Sequence, residues 1–232
     1  MNTAPRELPP LASGVTLWWC ELERTAEDLA GIAALLSPAE LARAARFGTT
    51  ALRERWIAGR GALRVVLGRT LGIDAADVAL RRGVRGRPEL ADDLARVDFN
   101  VSHTRGVALV AIARDLPRRT RVGVDIEHRD REVGADQLAR KFLTPGEQAT
   151  LADLPPALGR QRFLRYWTCK EAMSKATGDG LIAPFRQLDV DLANPPRLRA
   201  GPPPYLPGDW SLHFADVPAA WLATVAIWRA SP

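Results

Sequence analysis

A chain of 232 residues with 47% hydrophobic and 25% charged side chains has the balance of a globular protein with room for one large or two small domains. Its two cysteines, Cys20 and Cys169, exclude a disulfide framework or a zinc set. With no basic-then-apolar leader and no uncharged run long enough to span a bilayer, a cytoplasmic protein with reduced, buried thiols and no membrane partner is expected. A formal charge of +5 favours anionic partners, and the excess is local: eleven Arg fall between Arg43 and Arg87 against Glu54, Asp74 and Asp77.

Residues 1–14 carry three Pro and read as a loose leader. Val15 to Cys20 reads as a strand, and Ala26 to Leu36 as a helix. Ser37-Pro38-Ala39-Glu40 has the spacing of a capping box with Pro at the first helical position, and predicts a helix through Arg43, Arg46 and Phe47. Arg53 to Leu71 reads as a longer helix, with Arg53, Arg60 and Arg64 on one stripe and Trp56, Leu63, Val66 and Leu67 on another. Arg81 to Pro88 is a Gly- and Arg-rich loop whose Gly86-Arg87-Pro88 reads as a turn. Phe99-Asn100-Val101-Ser102-His103 leads into an apolar strand, Val107 to Ala113. Asp115-Leu116-Pro117 breaks it, and Val122 to Glu127 returns, so a hairpin with a long loop is expected. Two short helices, Asp136 to Phe142 and Pro145 to Leu154, precede a long one from about Arg160 to Gly178. Asn194 to Gly208 reads as extended loop, and Trp210 to Phe214 and Trp221 to Trp228 as closing strands.

Two stretches carry the chemistry. In Gly123-Val124-Asp125-Ile126-Glu127, strand alternation sends Val122, Val124 and Ile126 to one side and both carboxylates to the other. In Trp167-Thr168-Cys169-Lys170-Glu171-Ala172-Met173-Ser174-Lys175, helical spacing puts Glu171 and Lys175 on one face. Against 29 Arg the chain keeps only three Lys, at 141, 170 and 175, so two compact ammonium groups fall in one hexapeptide. Three carboxylates beside a lysine suit a divalent metal holding phosphate oxygens. The plain alternative is a solvated helix with an i, i+4 ion pair worth a few tenths of a kcal/mol, about 0.3.

A weak internal echo is also present. Val110-Ala111-Ile112 recurs as Val225-Ala226-Ile227, and Trp56, Arg60 and Arg64 match Trp167, Glu171 and Lys175 at an offset of 111. With the similar order of helices and strands, it suggests two related halves meeting at a cleft, residues 15–116 and 117–232.

The Gly123 to Glu127 stretch, the spacing of about forty residues and Trp167-Thr168-x-Lys170-Glu171-Ala172-x-x-Lys175 resemble the Sfp-type 4′-phosphopantetheinyl transferases. Ser37-Pro38 to Phe47, Gly86-Arg87-Pro88 and Phe99 to His103 are similar to segments of that family, so the likeness runs from about residue 15 to 228. The resemblance implies an α+β fold of two pseudo-symmetric halves, each a small, mostly antiparallel sheet packed with helices, with coenzyme A between them. It implies transfer of the phosphopantetheine arm to a serine of an acyl or peptidyl carrier protein, releasing adenosine 3′,5′-bisphosphate. By the same likeness Asp125, Glu127 and Glu171 hold Mg²⁺ (or Mn²⁺), and Lys175, Arg87, Ser102 and His103 contact phosphates. Lys170 is counted with the coenzyme A contacts, as are Arg43, Arg60 and Arg64 on charge and position. The segment from Phe142 to Arg165 helps receive the carrier, and Arg118 to Arg121 and Arg160 to Arg165 are candidates for its basic surface. Glu171 is the preferred base, with a water held by Glu127 and the metal as the alternative. Two halves in one chain need no second copy to form the cleft, so a monomer without nucleic acid is expected. A Mg-dependent nuclease and a carrier-binding module without chemistry stand as competing readings.

Overall fold

The computed structural model describes residues 4–11, 14–91, 97–115, 117 and 119–230. Leu116 and Arg118 lie outside the described residues, as do residues 1–3, 12 and 13 of the expected leader. In chain order the elements are β1 (Arg6–Glu7), β2 (Val15–Glu21), α1 (Ala26–Ala33), α2 (Pro38–Ala44), α3 (Thr50–Leu71), β3 (Leu80–Arg82), β4 (Pro88–Leu90), β5 (Val97–Thr104), β6 (Val107–Arg114) and β7 (Thr120–His128). They continue with α4 (Ala135–Phe142), α5 (Pro145–Ala152), α6 (Pro156–Thr177), β8 (Asp189–Asp191), β9 (Arg197–Ala200), β10 (Trp210–Phe214) and β11 (Trp221–Arg229). Among the described residues no helix is long and apolar enough to cross a membrane.

Two antiparallel sheets, in the orders β1-β2-β6-β5 and β10-β11-β7, pack face to face, each backed by one long helix. The alternation of each strand assigns its side chains to a layer. Val107, Leu109, Ala111 and Ala113 of β6 meet Val122, Val124 and Ile126 of β7 and Ala223, Val225 and Ile227 of β11 between the sheets. Ala108, Val110 and Ile112 turn the other way, onto Leu63, Val66 and Leu67 of α3. Leu222 and Ala226 of β11 back onto Cys169, Ala172, Met173 and Ala176 of α6. Both cysteines are buried free thiols, and burial pushes each up to about 12. The α+β class and the antiparallel sheets agree with the sequence reading.

Three expectations are corrected. The segment around Arg6 is not loose: β1 pairs with Trp18 and Trp19 of β2, and Leu8 is buried. The stretch Val122 to Glu127 forms no hairpin with Val107 to Ala113. Both edges of β6 are occupied, by β2 and β5, and β7 pairs with β11 along nine residues. The expected loop from Asn194 to Gly208 contains β9, paired with β8.

The repeat is present in another register than the one expected. Helices α3 and α6 are each 22 residues long and end at left-handed glycines, Gly72 and Gly178, 106 residues apart. The capping boxes Ser37/Glu40 and Thr144/Glu147 are 107 apart. The offset of 111 mismatches the helices by more than a turn, and Val110 and Val225 face different layers.

Candidate active site

The site forms where the free edge of β7 meets β5 and where α6 packs against β7. The outward N–H groups of β7 are met by side chains: Val122 N donates to Asp98 Oδ2 (2.7 Å), Val124 N to Asn100 Oδ1 (3.0 Å) and Ile126 N to Ser102 Oγ (3.3 Å). Alternate residues of one strand thus cap alternate amides of the other, satisfying a buried edge that has no strand partner. Gly123 brings the helix in. A Cβ there would stand 1.9 Å from the carbonyl oxygen of Ala172 and 2.6 Å from Ala176 N, so only glycine permits this approach.

Close packing brings Asp125, Ser102 and Lys175 together. Lys175 Nζ donates to Asp125 Oδ1 (2.7 Å) and Ser102 Oγ (2.8 Å), and Ser102 Oγ donates to the same carboxylate oxygen at 2.9 Å. Glu127 is buried and paired with Arg131, which sequence reasoning missed because the pair closes across an irregular turn. Burial and the charge of Asp125 raise the Glu127 carboxyl above the ordinary carboxylate range. Burial, Asp125 and Glu127 push the Glu171 carboxyl up to about 7, against the opposing pull of Lys175 and Arg131. His103 stands on the rim, where desolvation by its surroundings and the Lys175 ammonium hold its imidazole below the usual range.

The residues fit a divalent cation by their electrostatics. Asp125 Oδ2 and Glu171 Oε1 are buried with no hydrogen-bond partner, and three carboxylates face the charges of Lys175 and Arg131. Among the described residues no three carboxylates are drawn to ligand spacing; here Lys175 takes Asp125 and Arg131 takes Glu127.

Other expected residues lie elsewhere. Arg87 is only 8% exposed and is bound within the seam: bidentate to Asp98 at 2.9 Å, with further bonds to the carbonyls of Phe99 and Val122. Arg64, 3% exposed, is held by Glu40 and the carbonyls of Ala75 and Ala76, and Arg60 also pairs with Glu40. Glu40 itself is held below the ordinary carboxylate range: burial opposes this, and the Ser37 amide, Arg60 and Arg64 outweigh it. Lys170 is a correction: it is 0% exposed and its ammonium is used up inside the protein. Helical rotation of 500° separates it from Lys175, which turns it from the cleft. Arg43 is exposed and lies over the Trp56 ring; partial desolvation, and then the charges of Arg82, Arg60 and Arg46, lower its affinity for its proton. Arg43, Arg46 and Arg82 are exposed and form an open basic surface, whereas Arg60 is taken by Glu40.

Comparison with known proteins places the chain in a family. Residues 121–226 match the 4′-phosphopantetheinyl transferase superfamily, and residues 21–115 match a 4′-phosphopantetheinyl transferase N-terminal family. The chain is 39% identical over 202 residues to the 4′-phosphopantetheinyl transferase HetI of a Nostoc strain, covering 85% of this chain and 83% of that protein. It is 28% identical to a 4′-phosphopantetheinyl transferase of Bacillus subtilis, over 60% of this chain and 58% of the other. It is 27% identical to the human L-aminoadipate-semialdehyde dehydrogenase-phosphopantetheinyl transferase, over 68% of this chain and 53% of that one.

Proposed function

The chain belongs to the 4′-phosphopantetheinyl transferase superfamily, and from that premise we propose that Asp125, Glu127, Glu171 and Lys175 form its catalytic centre and that it is of the Sfp type. The enzyme transfers the 4′-phosphopantetheine group of coenzyme A to carrier proteins. The observation that carries the site is the meeting of Lys175 with Asp125 and Ser102 beneath a Glu171 whose proton affinity is raised to about 7.

Transfer needs positioning and charge neutralisation more than covalent chemistry. Lys175 exchanges its Asp125 contact for phosphate oxygens, and Ser102 and His103, at the end of β5, orient the pyrophosphate. The carrier serine gives its proton to Glu171 while its Oγ bonds to the phosphorus that bears the pantetheine arm. The bond from that phosphorus to the bridging oxygen breaks, and adenosine 3′,5′-bisphosphate leaves with the electron pair. An ionised carboxylate at the reacting hydroxyl suits that proton transfer. Asp125, Glu127 and Glu171 would hold Mg²⁺ or Mn²⁺, which when bound supplies charge neutralisation of the pyrophosphate. Arg43, with Arg46 and Arg82, is the available surface for the nucleotide-end phosphate. The carrier is an acyl or peptidyl carrier protein, received along residues 142–165; the enzyme acts as a cytoplasmic monomer.

The test is the intact mass of an apo carrier after incubation with the protein, coenzyme A and Mg²⁺. Gain of one phosphopantetheine, lost with EDTA and in Asp125→Ala, is expected. Transfer that survives both changes would remove the divalent cation and Asp125 from the site.

A further inference from the structure

Lys170 sits beside the proposed base in sequence yet makes none of the site's contacts. Its Nζ donates to the carbonyl oxygen of Phe142 at the end of α4 (3.1 Å), to Glu147 Oε2 in the first turn of α5 (2.5 Å) and to the carbonyl oxygen of Phe185 (2.7 Å). Glu147 in turn accepts from Thr144 N at 2.8 Å and from Val190 N of β8 at 2.9 Å. All three ammonium donors are used in a fully buried site, so this side chain fastens three other segments to the middle of α6 directly, and β8 through Glu147.

The internal repeat gives an independent view of this device. Arg64 stands 106 residues earlier, at the matching position of α3. It donates to Glu40 Oε2 at 2.8 Å and to the carbonyl oxygens of Ala75 and Ala76. Glu40, like Glu147, is the carboxylate of a capping box, accepting from Ser37 N at 2.9 Å. The same pin of a buried cation, a capping carboxylate and chain carbonyls holds both long helices. Only α6 also presents Glu171 and Lys175 to β7.

We propose that Lys170 is a positioning residue for the transfer, fixing the roll and axial setting of α6 so that Glu171 and Lys175 face the reacting phosphates. The proposal rests on the reading that those two residues act on coenzyme A. Each residue along a helix turns 100° and rises 1.5 Å, so a small roll carries Glu171 off its target, and a misplacement of about 1 Å costs on the order of 100-fold in rate.

Lys170→Met keeps most of the stem and removes the ammonium. Combining it with Glu147→Gln also removes the carboxylate that would be left unpaired and buried, the main threat to folding. Coenzyme A affinity is measured by calorimetry, and kcat and its pH dependence per folded molecule by carrier mass shift. The expected result is a kcat reduced by roughly 30- to 100-fold, a coenzyme A Kd within threefold of wild type, and an acid limb of the kcat–pH profile displaced from its wild-type position. The double variant is read by the same criteria if the single one does not fold. A Kd weakened tenfold with kcat unchanged would make Lys170 a direct ligand and overturn the proposal. Wild-type kcat, Kd and pH profile with only a lowered melting temperature would overturn it too, leaving a structural pin. The underlying reading is checked separately, since it fails if Glu171→Gln transfers at the wild-type rate.

Discussion

Glu171 carries the clearest residue-level consequences. As the base it must be ionised, so Glu171→Gln should lower kcat by two or more orders of magnitude, while coenzyme A still binds in calorimetry. Retained turnover would pass the role to another group. A second outcome needs no turnover. The native carboxyl keeps its proton up to about pH 7, whereas the unfolded one releases it near the ordinary value of about 4.5. Between these values the native state binds more protons, so this group's contribution falls as pH rises. Relative to wild type, Glu171→Gln should gain stability from pH 4.5 to 7, by at most about 3 kcal/mol. Urea unfolding without divalent cation reads this directly, and a difference independent of pH would contradict a raised carboxyl. That Glu171 and Lys175 share one face of α6 was legible from spacing; that Lys175 pairs with Asp125 was not. Arg131 was not, because its contact with Glu127 depends on an irregular turn.

At the level of elements, the closest constraint is between β7 and α6. Gly123→Ala drives a methyl into the Ala172 carbonyl, and overpacking against main chain cannot be relieved by a rotamer change. A cost of about 3 kcal/mol or more is expected, seen as a lower thermal midpoint together with lost activity. Gly31→Ala in α1, with nothing within 4 Å of the added carbon, should instead be neutral or stabilising by about 0.5–1 kcal/mol. Equal effects of the two substitutions would contradict the close packing. Helix boundaries were largely legible: Ser37 forms the capping box expected from its spacing, and Thr144 forms a second at the start of α5. The neighbours of β7 were not. Apolar alternation marks a strand and its faces, but gives no partner for its edges.

For the whole molecule, the distribution of charge sets the expected response to salt. Arg43, Arg46 and Arg82 form a mutually repelling exposed group, while much of the remaining excess is internally paired, as with Arg60, Arg64 and Arg87. Coenzyme A affinity should therefore fall as ionic strength rises, since exposed charges are screened within about 8–10 Å at physiological salt. Arg43→Ala should flatten that dependence, and an unchanged salt slope in calorimetry would remove Arg43 from the phosphate surface.

The sequence by itself determined the α+β class, the long helix with Glu171 and Lys175 on one face, and the strand with Asp125 and Glu127 opposite its apolar side. These follow from periodicity and capping, which act over a few residues. Tertiary structure alone decided which charges are free for chemistry. Arg87 and Lys170 have the chemistry of phosphate ligands, yet each is buried and held by partners distant in sequence, Asp98 and Val122 in one case, Phe142, Glu147 and Phe185 in the other. A buried cation must find such partners, and whether it does depends on how layers pack, which no local pattern records.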